Sequence, residues 1–138
     1  MIVIDASVAL KWVLPEDDSD LADALRAEKL IAPPLWLIES ANALWRNVLS
    51  GKITANDSTR LFAKLAAAPV AVSHADSDVA EALDLAIRLS HPIYDCIYLA
   101  LARRENTHVV TADRRFHAVA AKFSELAGHV RLLGNPAA

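Results

Sequence analysis

Four acidic residues of this chain stand where a carboxylate is costly unless it is paired or bound. Asp5 directly follows the apolar run Ile2–Ile4, and Asp113 follows the similar run Val109–Thr111. Such runs predict strands of a parallel sheet, and ligands of these sheets bind beyond the carboxyl ends of strands. Because Asp is also a common helix N-cap, simple capping is an alternative for both residues.

The other two acidic residues, Asp95 and Glu39, lie inside predicted helices. Asp95 lies near the start of a helix that is apolar or aromatic in every direction before Arg103. A carboxylate in such a buried helix must be paired, metal-bound or protonated. Glu39, Asn42 and Arg46 form a narrow polar strip beside an apolar helix face. Capping of the first turn by Asp95, and a Glu39–Arg46 contact, are the structural alternatives.

Four carboxylates that converge in one pocket repel one another unless a cation lies between them. Oxygen donors select the hard cations Mg²⁺ or Mn²⁺. The five histidines are scattered without metal-ligand spacing, and one cysteine cannot form a thiolate cluster. An ion in such a site generates hydroxide from water and neutralises charge on a phosphate. These residue types therefore predict phosphodiester hydrolysis.

Short apolar runs alternate with helical segments along the chain. This alternation predicts an α/β fold with a central, mainly parallel sheet and helices on both faces. We expect a single domain over 1–134, because no segment reads as a linker, and a short C-terminal tail over 135–138. The predicted strands are 2–4, 30–32, 70–72, 108–111 and 130–133.

Helix starts are marked by polar residues at capping positions. Thr54 and Asp57 have the spacing of a capping box, which predicts a helix to about residue 68. Asp76 or Asp78 is expected to cap the helix that runs to Ser90. These elements must hold the four carboxylates in place.

Composition limits the function classes. The apolar fraction is 54%, above the roughly 45–50% of ordinary domains, which predicts apolar surface covered by a second subunit or partner. The net charge of −3 excludes a generally basic nucleic-acid binder, so contact with RNA must be local or metal-mediated. No segment resembles a signal peptide or a membrane span, and we expect a cytoplasmic protein without membrane contact.

Four motifs, in order along the chain, carry a resemblance to a known family. The sequence resembles the PIN domain, and more closely the VapC-type toxins of bacterial toxin–antitoxin pairs. The resemblance covers essentially the whole chain. The motifs are IDAS at 4–7, ESANAL at 39–44, YDCIYLALA at 94–102 and VTADRRF at 110–116.

The resemblance implies a three-layer α/β/α fold and an endoribonuclease that cuts RNA with Mg²⁺ or Mn²⁺. It implies that Asp5, Asp95 and Asp113 hold the metal directly or through water and that Glu39 completes the catalytic pocket. Further positions that line or support the site in relatives are Ser7, Asn42 and Thr111.

The resemblance also implies partners. Family members are commonly homodimers that a small cognate antitoxin of the VapB kind inhibits by covering the active-site groove, and larger toxin–antitoxin assemblies are a further expectation. Some relatives carry another acidic residue after the fourth carboxylate, whereas Arg114 and Arg115 follow here. A second metal position therefore stays open. Because these arginines adjoin Asp113, we predict that they contact RNA phosphates; the alternative for each is a solvated surface charge.

Other function classes fit less well. A phosphoryl-transfer enzyme of the haloacid-dehalogenase kind requires a second aspartate two residues after Asp5, where this chain has Ser7. A receiver domain requires an acidic pair beside the first strand. A catalytically silent PIN-fold scaffold remains the alternative. It would bind RNA without a metal and leave it intact.

Overall fold

The computed structural model describes residues 1–134, and the predicted tail over 135–138 lies outside the described residues. The strands are β1 (Ile2–Ile4), β2 (Leu30–Ala32), β3 (Val70–Val72), β4 (Val109–Thr111) and β5 (Val130–Leu132). They form one sheet in the order β3-β2-β1-β4-β5, and all four pairings are parallel. The predicted α/β class with a central parallel sheet is therefore confirmed.

The strand order explains where a site can form. β1, β2 and β4 are buried along their whole length, whereas the edge strands β3 and β5 are partly exposed. Starting from β1, the chain adds β2 and β3 on one side and then places β4 on the other side. Such a reversal opens a crevice at the carboxyl ends of the two central strands. Asp5 and Asp113 both lie at this crevice.

Helices connect the strands and cover the sheet. Over residues 1–134 they are α1 (Ala6–Ala9), α2 (Ser19–Ala24), α3 (Leu35–Leu49), α4 (Ala55–Ala66), α5 (Asp76–Leu89), α6 (Ile93–Arg104), α7 (Arg114–Ala121) and α8 (Ser124–Ala127). The predicted capping box at α4 is confirmed, since Thr54 and Asp57 exchange two hydrogen bonds of 3.0 Å. None of the described helices has both the length and the hydrophobicity to cross a membrane.

The predicted cap of α5 is wrong. Ala75 is the N-cap and has no side-chain cap, while Asp76 remains exposed. Asp78 is buried, and its two carboxylate oxygens accept hydrogen bonds from the Arg104 guanidinium at 2.9 and 3.1 Å. A bidentate ion pair of this kind is stronger than a bond to a neutral amide, so it fixes Asp78 between α5 and α6 instead.

The α6 helix lies at the centre of the core. Cys96 and the residues from Tyr98 to Ala102 are completely buried, so Cys96 is a core residue. Tyr94, in contrast, is 57% exposed. α6 contacts β1, β4 and α5, so it brings its first turn to the same crevice as the two strand ends.

Candidate active site

Asp5 is the N-cap of α1 and is only 4% exposed. Its Oδ1 accepts hydrogen bonds from the Ser7 hydroxyl at 2.6 Å and from the Val8 amide at 3.1 Å. Burial raises the pKa of Asp5 to about 6, although bonds from Ser7, Thr111 and Val8 favour the charged form. The capping alternative is therefore geometrically correct, yet it leaves a buried carboxylate at the wall of a pocket.

Asp113 has the same arrangement at the end of β4. It is the N-cap of α7, and its Oδ1 accepts hydrogen bonds from the amides of Arg115 at 2.9 Å and Phe116 at 3.1 Å. Its own amide donates to the hydroxyl of Thr111 at 3.1 Å. Helix starts therefore fix the positions of both strand-end aspartates.

Glu39 lies inside α3, where the helix itself uses the backbone amides. The hydroxyl of Tyr98 donates a hydrogen bond of 2.6 Å to Glu39 Oε1. Burial raises the pKa of Glu39, and the negative charge of Asp95 raises it further. The hydrogen bond from Tyr98 and the positive charge of Arg46 partly offset this rise in pKa. The hydrogen-bond partner of Glu39 is thus Tyr98, and not Arg46 as in the structural alternative.

Asp95 lies in the first turn of α6 and binds a histidine. His91 Nε2 is 2.6 Å from Asp95 Oδ2, and the imidazole is 4% exposed. The ring stacks on Phe116 with 5.4 Å between centroids. Burial raises the pKa of Asp95, the His91 contact opposes this rise and the charge of Asp113 adds to it. The alternative of first-turn capping is therefore not what the structure shows.

The four carboxylates line a single pocket of about 270 Å³. They also interact through their charges: that of Asp95 raises the pKa of both Asp5 and Glu39, and that of Asp113 raises the pKa of Asp95. A bound cation would relieve this repulsion. The remaining lining residues are Ala6, Ser7, Leu10, Ala43 and Arg46.

The other residues predicted to line the site divide into three cases. Ser7 lines the pocket, donates to Asp5 and accepts a hydrogen bond of 3.0 Å from the amide of Ala112. Thr111 is completely buried, does not line the pocket and interacts with Asp5 through its side chain. Asn42 is exposed and does not line the pocket. The α3 wall consists of residues 39, 43 and 46, whose i, i+4, i+7 spacing defines one face of the helix and leaves position 42 beside it.

The two arginines after Asp113 are both exposed. Arg114 lines an adjoining pocket of about 230 Å³ together with Lys11. Arg115 contributes its backbone amide to the α7 cap, which leaves its guanidinium outside this cap. Contact of these side chains with RNA stays a prediction.

Two residues that hold the site were missed by sequence reasoning, His91 and Tyr98. A signal for Tyr98 is present in the sequence, because it lies three residues after Asp95 and so shares a face of α6 with that carboxylate. His91 precedes the helix, so its four-residue separation from Asp95 does not by itself predict a contact. Neither a lone histidine without metal-ligand spacing nor a tyrosine in an apolar helix indicates a hydrogen bond to a carboxylate.

The donor set fits a hard divalent cation. All four carboxylates offer oxygen atoms, the ligands that Mg²⁺ and Mn²⁺ prefer. Over residues 1–134, no group of three acidic, histidine or cysteine side chains is already placed to bind one metal ion directly. Mg²⁺ does not require such a cage, because it keeps several waters and commonly binds only one or two carboxylates directly. The residues of this pocket are therefore suited to the ion.

Comparisons with known proteins agree with this geometry. The sequence profile of the PIN domain matches residues 2–122. Ribonuclease VapC3 of Pyrobaculum aerophilum is 29% identical over 129 residues, which cover 91% of this chain and 96% of that protein. The crystal structure of PAE2754 from Pyrobaculum aerophilum has a TM-score of 0.68 at 23% identity, with 86% of this chain and 84% of that chain covered.

A second solved structure is that of VapC20 from Mycobacterium tuberculosis, described as a sarcin–ricin loop cleaving toxin. It has a TM-score of 0.68 at 17% identity and covers 86% of this chain and 94% of its own. At such low identity both structures support the fold alone. The profile match, which spans most of the sequence, establishes the family that the four motifs indicated: this chain belongs to the PIN domain family.

Proposed function

We propose that this protein is a toxin-type endoribonuclease that hydrolyses RNA phosphodiester bonds with Mg²⁺ or Mn²⁺. The observation that carries the proposal is the convergence of Asp5, Glu39, Asp95 and Asp113 on one pocket at the carboxyl ends of β1 and β4. The names of Ribonuclease VapC3 and of the toxin VapC20 support the reaction class.

Each carboxylate has a proposed role. Asp5, Asp95 and Asp113 would hold the ion, directly or through water, and the bound ion would supply a nucleophilic hydroxide and neutralise phosphate charge. Glu39 completes the pocket from the α3 side. Its Oε1 is occupied by the Tyr98 hydroxyl, which would leave Oε2 to bind the ion through a water and to accept the proton of the attacking water. The raised pKa of Glu39 suits it to proton acceptance nearer neutral pH.

The proposal includes an RNA surface and protein partners. Arg46 at the pocket wall and the exposed Arg114 and Arg115 would bind phosphates, which is the local basic contact that a chain of net charge −3 requires. We further propose a cytoplasmic homodimer inhibited by a cognate VapB-like antitoxin. Exposed apolar side chains support a covered surface, among them Ile38 (66%), Trp45 (57%) and Leu49 (72%) on α3.

Cleavage of RNA by partner-free protein tests the proposal. Wild type, Asp5→Asn and the control Asp57→Asn, whose carboxylate caps α4 and does not line the pocket, are incubated with cellular RNA. Each is given Mg²⁺, Mn²⁺ or EDTA. We expect discrete, metal-dependent cleavage by wild type and the control and none by Asp5→Asn. RNA that is bound without metal and left intact by folded wild type would favour the silent scaffold instead.

A further inference from the structure

The four carboxylates of the pocket are held in two different ways. Asp5 and Asp113 accept backbone amide bonds as N-caps, so the start of a helix fixes each of them. Glu39 and Asp95 accept no backbone bond in the described structure, and each depends on one side-chain partner. The orientation of two of the four carboxylates therefore depends on two side chains that do not line the pocket.

Both partners come from the stretch of chain that contains α6. Tyr98 lies three residues after Asp95 on the same face of α6. His91 lies four residues before Asp95, just before the helix begins at Ile93. Tyr98 is completely buried, and Glu39 is the acceptor of its hydroxyl. A buried hydroxyl that reaches across to α3 fixes the carboxylate well, because the packed ring has no freedom to turn away.

Packing also holds His91 in place. Its ring stacks on Phe116 of α7, and the Phe116 amide is itself bound by Asp113. Nδ1 is buried without a partner among the described residues, whereas Nε2 faces a carboxylate oxygen of Asp95, which accepts hydrogen bonds. His91 thus donates from Nε2 to Asp95 Oδ2. The stack also links the position of Asp95 to that of Asp113.

We propose that Tyr98 and His91 are positioning residues, which hold Glu39 and Asp95 in the orientation that a divalent cation requires. This inference rests on the proposed function of the same pocket. Neither residue lines the pocket, so both act through the carboxylate they bind and not on RNA. Outer-shell partners of this kind typically change metal affinity by about 10–100-fold when they are removed.

Manganese affinity of the full chain, measured by isothermal titration and by electron paramagnetic resonance, tests the inference without using activity. Tyr98→Phe removes one hydroxyl, and Tyr94→Phe makes the same change at an exposed position of the same helix. His91→Met removes the donor, whereas His91→Gln can donate from nearly the same point. His74→Met, at an exposed histidine that contacts Asp76, is the control for the histidine series.

We expect Tyr98→Phe and His91→Met to weaken Mn²⁺ binding by about 10-fold or more. Tyr94→Phe and His74→Met should leave it unchanged, and His91→Gln should recover most of it. In a Glu39→Ala background, Tyr98→Phe should have no further effect, because Tyr98 acts through Glu39. The coupling separates positioning from a general loss of packing.

Wild-type affinity in both Tyr98→Phe and His91→Met would overturn the inference while leaving the nuclease proposal intact. An undiminished effect of Tyr98→Phe in the Glu39→Ala background would do the same. If circular dichroism shows that Tyr98→Phe and His91→Met do not fold, a purely structural role replaces the proposed one. Wild type that neither binds Mn²⁺ nor cleaves RNA would instead refute the proposed function, and the inference would fall with it.

Discussion

The ionised carboxylate of Asp5 is predicted to lower the free energy of unfolding of the metal-free protein. Burial raises its pKa from 3.8 to about 6 in the folded chain, so between these pH values the native state binds more protons than the unfolded state. Stability conferred by this residue therefore falls as pH rises through that window. At about 1.36 kcal/mol per pKa unit, the ionised Asp5 costs up to about 3 kcal/mol above pH 7.

Asp5→Asn removes this cost and keeps an oxygen for the bonds from Ser7 and Val8. In EDTA at pH 7.5 we expect the variant to be more stable than wild type by up to about 3 kcal/mol, a rise in melting temperature of about 10 °C for a chain of this size. At pH 4.5 about two thirds of the advantage should be lost, because wild-type Asp5 is then largely protonated in the native state. Urea or thermal unfolding at the two pH values measures both.

The control has the opposite sign. The capping bonds with Thr54 hold the pKa of the exposed Asp57 below its usual value. Asp57→Asn should therefore destabilise the protein at pH 7.5, and the difference should fade as the solution becomes acidic. Two results would refute the claim that burial destabilises the charged form of Asp5. One is an Asp5→Asn variant that is no more stable than wild type at pH 7.5, and the other is a stability gain of the same size at both pH values.

Three other predictions concern RNA binding, the fold and assembly. Arg114→Ala with Arg115→Ala should weaken RNA binding and flatten its logarithmic salt dependence by about 1.4, at about 0.7 per lost single-strand phosphate contact; unchanged binding at several salt concentrations would exclude them from the surface. Thr54→Ala should cost about 1 kcal/mol by urea unfolding, because it removes the α4 cap, and no loss would show that the cap is redundant. Light scattering at micromolar concentration should give twice the 14.9 kDa of one chain, and a monomer mass would contradict the proposed homodimer.

Local patterns were enough to predict the sheet and its ligand-binding edge. Strands β1, β2 and β4 are buried on both sides, so their sequences had to be short uninterrupted apolar runs, and such runs are visible without tertiary information. Asp5 and Asp113 follow two of these runs, so the sequence alone places them at one edge of the sheet. Capping and site formation proved compatible for both residues, because a carboxylate can accept an amide bond and still face the pocket.

Partners across elements could not be predicted in the same way. Glu39 binds Tyr98, which is 59 positions away in sequence, and Asp78 binds Arg104 across two helices. The packing of the helices decides which polar side chains come into contact, and the spacing of residues within one helix does not determine that packing. The α5 cap and the alternative of a Glu39–Arg46 contact failed for this reason, since each was inferred from positions on one helix alone. The role of Asn42 was implied by the resemblance and not by helix geometry, and Asn42 lies outside the pocket lining.

The central claim is that the four carboxylates form a divalent-metal site that cleaves RNA. Its most direct test is diffraction at the manganese absorption edge from crystals soaked in Mn²⁺. We predict an anomalous peak inside the pocket, within coordination distance of an oxygen of Asp5, Asp95 or Asp113 and absent from crystals of Asp5→Asn. Saturating Mn²⁺ that leaves the pocket empty in wild-type crystals, while the same protein cleaves RNA in solution, would contradict it.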